Sequence, residues 1–136
     1  MDRSDRAARI AFALLLAFVT YASVTPASDA PGFFGMILQR ISAALLGEAR
    51  FGDKLGHGLA YAVLGAAAFF ARLPPCRRVL WTPLALTVYG AVMEGAQALG
   101  GTRDPDIADA AVNAVGALAG VALARLFVRA FRRAAR

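Results

Sequence analysis

Two residue types that often build sites are nearly missing from this chain, which has one cysteine, Cys76, and one histidine, His57. A single thiol excludes an intrachain disulfide, and one residue of each type cannot make the Cys/His quartets of structural zinc sites. Cys76 lies in a connector among Pro74, Pro75, Arg77 and Arg78, with no histidine beside it, which argues against a thiol nucleophile. Charge is scarce as well: 18% of the 136 residues are charged and 59% are hydrophobic. A soluble domain of this length needs more polar surface than that, so the expected solvent is lipid. The net charge of +6 does not change this, because the arginines flank apolar runs rather than forming a basic face, and nucleic-acid binding is not expected.

A membrane helix needs about 20 mostly apolar residues, with about 17 tolerated. Four stretches approach that length: Ile10 to about Val24, Leu55 to Ala71, Val79 to about Leu99 with a single acid at Glu94, and Ile107 to about Ala124 with Asp109 and Asn113 near its start. The expected fold is all-α, a single domain over 1–136 made of four transmembrane helices. The first stretch also fits a cleavable signal peptide, with Arg3, Arg6 and Arg9 as its basic n-region and Ala22 and Ser23 after the apolar core. Retention is the expectation, and the orientation downstream is the same either way.

Lys and Arg accumulate on one side of the spans. Arg3, Arg6, Arg9, Arg72, Arg77, Arg78, Arg125, Arg129, Arg132, Arg133 and Arg136 share one side, and Arg40, Arg50, Lys54 and Arg103 share the other, 11 against 4 of the 15 basic residues. Both termini are therefore expected in the cytoplasm, with the loops at 26–53 and 100–106 outside. In the first of these loops Phe34, Ile37, Leu38, Ile41 and Leu45 recur at helical spacing, which predicts an interfacial helix or a packed cap between the first and second spans. The arginine-rich end from Arg125 reads as a cytoplasmic anchor on anionic lipid head groups.

The polar residues inside the spans are grouped. Asp53, His57 and Tyr61 stand four apart on one helical face, with Lys54 in the adjacent row. Glu94 and Gln97 share a face of the third span, and Asp106, Asp109 and Asn113 share a face of the fourth. At about 1.5 Å of rise per residue, all three stripes begin at the outer ends of their helices. A carboxylate facing lipid is costly, so the stripes are expected to face one another. Gly58, Gly65, Gly90, Gly116 and Gly120 allow close backbone approach, and one outward-open polar pocket follows.

The same residues carry a family resemblance. DKLGHGLAYAVLG from Asp53 to Gly65, EGAQ from Glu94 to Gln97 and RDPDIADAAVNAVGALAG from Arg103 to Gly120 resemble the VanZ-like family of small membrane proteins. Asp53, Lys54, His57, Tyr61, Glu94, Gln97, Arg103, Asp109, Asn113 and Gly116 follow its pattern in order, within a motif-bearing part of about 51–128. The loop before Arg103 departs from it, reading LGGT where the family has a proline-glycine turn. The resemblance implies a multi-pass protein of the bacterial inner membrane acting at the cell envelope. The family's namesake is associated with teicoplanin resistance, but nothing in this chain corresponds to the enzymes of a glycopeptide-resistance pathway.

Function can be read in three ways. In the first, Lys54 and Arg103 bind an anionic envelope lipid, a lipid-linked wall precursor or a glycopeptide-like molecule, with Asp53, Tyr61, Gln97 and Asn113 lining the pocket. In the second, His57, Glu94 and Asp109 carry out acid–base hydrolysis or group transfer. In the third, the cluster only fixes helix packing. No HExxH or comparable ligand spacing is present, so neither a metal nor another cofactor is expected.

Overall fold

The computed structural model describes residues 3–24, 32–48, 51–72, 81–100 and 107–136. They form five helices: α1 (Arg3–Val24), α2 (Gly32–Leu46), α3 (Gly52–Ala71), α4 (Trp81–Leu99) and α5 (Ile107–Ala134). The helices outrun the apolar stretches because a helix does not stop where lipid does. Asp53 and Lys54 lie in the first turn of α3, and α5 continues through the arginine-rich end to Ala134. Between α1 and α3 the expected extra helix is present as α2. It ends at Gly47, whose φ of +77° suits a residue without a Cβ and whose N–H donates to Ala43 O at 3.1 Å.

Among the described residues three helices, not four, are long and apolar enough to cross a membrane: α1, α3 and α5. They suggest a membrane protein. Among the described residues Trp81–Leu99 falls short because Trp81, Thr82, Pro83, Thr87, Tyr89, Glu94 and Gln97 dilute its apolar content, and Val79 and Leu80 of the expected span lie outside the described residues. Those polar residues do not face outward as a group. Thr82 and Gln97 are buried, Tyr89 and Glu94 are half-buried, and the exposed side carries Trp81, Leu84, Val88, Val92 and Leu99. α4 is thus apolar outside and polar inside, the reverse of a helix on a soluble core.

The closest packing is between α3 and α5. A Cβ on Gly116 would run into the carbonyl oxygen of Gly58, one on Gly120 into that of Ala62, and one on Gly65 into that of Ala117. Small residues at these points let the two backbones touch. Pairings climb together along both chains, from Lys54 with Asp109 to Gly58 with Gly116 and Ala62 with Gly120, so the two helices are parallel. α4 runs against α5, with Gly90 beside Asn113 and Pro83 sharing a hollow with Val121 and Arg125. α1 runs against α3, because Arg9 Nε donates to Ala71 O at 3.2 Å and Asp5 meets Arg72 at 3.6 Å. It runs parallel to α4, where Thr20 and Tyr89 share a 2.7 Å hydrogen bond between hydroxyls and Gln97 donates to Ser23 O. The core of Val19, Tyr61, Leu64, Leu86 and Ala117 lies where these four helices meet.

Candidate functional site

The parallel pairing of α3 and α5 brings their first turns to one end of the bundle. α3 delivers Asp53, Lys54 and His57, and α5 delivers Asp109. Lys54 Nζ donates to Asp109 Oδ1 at 2.8 Å, with the lysine side chain 29% exposed and the aspartate 10%. One ligand atom each from Asp53, His57 and Asp109 lies within 4.8 Å of the others. Exposure falls across the trio, from exposed Asp53 through half-buried His57 to buried Asp109, so the group opens to the surface on the α3 side. Acids at the first turn of a helix are also favoured by the helix dipole, and both aspartates stand there.

A turn deeper, Tyr61 and Asn113 are each 1% exposed and converge on Gly90 of α4. A Cβ at Gly90 would stand 3.1 Å from the Tyr61 hydroxyl oxygen and 3.3 Å from Asn113 Nδ2, so the glycine leaves room for both. Tyr61 also packs its ring 6.1 Å from that of Tyr89. Asn113 Oδ1 is buried without a hydrogen-bond partner among the described residues. Leaving such an acceptor unmatched costs about 1–3 kcal/mol. Asn113→Leu, of similar volume, is therefore expected to raise the thermal midpoint of the detergent-solubilised protein while weakening any ligand that uses the amide. A lowered midpoint would mean that the amide is bonded in the folded protein.

Gln97 is buried at the same end, held to Ser23 of α1, and Glu94 is half-buried one turn nearer Gly90. Glu94 does not join the trio, whose second acid is Asp53. Arg103 and Asp106 lie outside the described residues, as do Arg50 and Cys76. Sequence periodicity placed the stripes on helical faces but did not single out Lys54 and Asp109 as partners across two helices. It also passed over Thr20, Ser42 and Thr82. Ser42 and Thr82 are buried, and the Ser42 hydroxyl donates to Glu48 O at 2.6 Å. A lone hydroxyl in an apolar run gives no periodic signal.

Among the described residues two surface hollows, of about 540 and 270 Å³, lie along the C-terminal half of α5. The first is the space between the side chains of Arg129, Arg132, Arg133 and Arg136 on a single helix and carries no polar group of another element. The cluster of Asp53, Lys54, His57 and Asp109 sits where α3 and α5 begin. No family model, curated protein or solved structure matches the chain.

Proposed function

We propose that this is a VanZ-like multi-pass membrane protein whose polar end, at the start of α3 and α5, faces outward and recognises the anionic head group of an envelope lipid or lipid-linked wall precursor. The observation that carries the reading is the convergence of Lys54, His57, Asp53 and Asp109 on one end of the bundle, above the buried Tyr61 and Asn113. An ammonium, two helix N-termini and buried amide and phenol groups suit a phosphate and its neighbouring polar atoms. Arg103, four residues before Ile107 in sequence and outside the described residues, is the second cation that this reading expects. A glycopeptide-like ligand would use the same amide and hydroxyl donors.

Four crossings fit this reading better than three. α3 and α5 are parallel neighbours, so a chain that crosses in α3 must return before it crosses again in α5. α4, with 19 residues, spans about 28 Å, close to the hydrocarbon thickness of a bilayer. Its exposed apolar stripe supports contact with lipid, and its polar residues are covered by the bundle. α1 is held to α3 and α4 through Arg9, Thr20 and Ser23, which supports a retained first span. The exposed Met36, Ile37, Ile41 and Leu45 give α2 an apolar surface suited to the interface. With the arginine bias, both termini are cytoplasmic and the site is external.

The expected result is that protein in nanodiscs containing a polyprenyl phosphate binds that lipid, and that Arg103→Ala and Lys54→Gln each weaken binding by about tenfold, the loss of one charge-assisted hydrogen bond. Unchanged binding in both folded variants would overturn the reading. A second reading is favoured by the Asp53, His57 and Asp109 proximity, since a carboxylate beside an imidazole suits acid–base chemistry, with Glu94 one helix away. It predicts a change in the lipid or wall fraction of cells that overproduce the protein, lost in Glu94→Gln and in His57→Ala.

A further inference from the structure

Asp53 and His57 stand one helical turn apart on α3, so their side chains project side by side. Asp109 approaches from α5, and the three ligand atoms lie within 4.8 Å of one another. Two atoms bound to one ion at about 2.0–2.2 Å are at most about 4.4 Å apart. Small rotamer adjustments therefore bring all three within reach of a single ion. We propose that Asp53, His57 and Asp109 bind a divalent transition-metal ion of the zinc or manganese class at the N-terminal end of α3 and α5.

The donor set decides the class. Magnesium and calcium take shells of oxygen, whereas an imidazole nitrogen beside two carboxylates suits zinc and manganese. Three protein ligands leave open positions for water or a bound molecule. Lys54 does not block the site, because a carboxylate has two oxygens and several lone pairs. Asp109 can keep Lys54 on Oδ1 and still coordinate. A second observation points the same way: one turn below Asp109 on α5, the 1% exposed Asn113 holds an acceptor oxygen without a partner among the described residues. Water carried on the ion would satisfy such an acceptor.

Metal binding needs no head-group ligand, so it is measured on tag-free protein in nanodiscs of phosphatidylcholine alone, by equilibrium dialysis against Zn²⁺, Mn²⁺ and Mg²⁺. The expected result is one Zn²⁺ per chain, with affinity in the order Zn²⁺ above Mn²⁺ above Mg²⁺. His57→Ala and Asp53→Asn weaken Zn²⁺ binding by about tenfold or more, and Lys54→Gln tightens it by removing the competing cation. Because Lys54→Gln is expected to weaken head-group binding, the two ideas fail separately. Pulsed electron paramagnetic resonance of the Mn²⁺-loaded wild-type protein gives a readout that needs no variant. The chain has one histidine, so nitrogen coupling to the ion assigns His57. Bound Mn²⁺ without nitrogen coupling, Zn²⁺ binding unchanged in His57→Ala, or no Zn²⁺ above that of empty nanodiscs would each overturn the proposal.

Discussion

Replacing Gly120 with valine is expected to separate α3 from α5 and cost about 3 kcal/mol, the upper end of the usual range for overpacking. The reason is what the new side chain would meet. A Cβ at Gly120 falls on the carbonyl oxygen of Ala62, and backbone cannot turn aside as a flexible side chain can. Gly116 is in the same position against Gly58, so the double variant has no local way to relieve the contact. Gly95 is the control. It is exposed on α4 with nothing within 4 Å of an added Cβ, and Gly95→Val is expected to stay within about 0.5 kcal/mol of wild type. Thermal unfolding of wild type, Gly120→Val, the variant with both Gly116 and Gly120 replaced by valine, and Gly95→Val in one detergent makes the comparison. Equal midpoints for Gly120→Val and Gly95→Val would mean that α3 and α5 do not pack through these glycines.

Asp109→Ala is the second large effect. It removes the partner of Lys54 at a place where the aspartate side chain is 10% exposed and the lysine 29%. An exposed pair is worth under about 1 kcal/mol, and breaking a buried one costs about 3–5 kcal/mol. This pair stands between those limits, so a loss of about 2 kcal/mol is expected. Lys54→Met with Asp109→Leu should recover most of that loss, because apolar replacement of both partners leaves no charge unmatched. The same double variant should bind neither the anionic lipid nor Zn²⁺. Recovery of stability without recovery of binding would separate the site's chemistry from its part in packing. A double variant no more stable than Asp109→Ala would show that the loss does not come from leaving the Lys54 charge without its salt bridge.

Much of this architecture was legible in the residue order. Apolar runs bounded by arginine gave α1, α3 and α5, and the helical spacing of Ile37, Ile41 and Leu45 gave α2. The four-residue spacing of Asp53, His57 and Tyr61, and of Asp109 and Asn113, placed each set on one face. Periodicity fixes a face within a helix but not how two helices are rotated against each other. For that reason the pairing of Lys54 with Asp109 was not visible, nor was the approach of Asp109 to Asp53 and His57. Hydropathy has the opposite weakness. It averages around the helix, so α4 reads as too polar although its exposed face is apolar. The close approach at Gly116 and Gly120 was legible because few residues other than glycine fit where backbones touch.

The central claim is that the end of the bundle holding Lys54, His57 and Asp109 is exposed outside the cell. Cysteine accessibility tests it most directly in a Cys76→Ser background, since the chain has no other thiol. Gly100→Cys lies just past α4 at the site's end, and Ala135→Cys lies just past α5 at the other, both exposed. A membrane-impermeant maleimide is expected to label Gly100→Cys in intact cells and Ala135→Cys only after the membrane is opened. Labelling of Ala135→Cys in intact cells, with Gly100→Cys protected, would contradict the account.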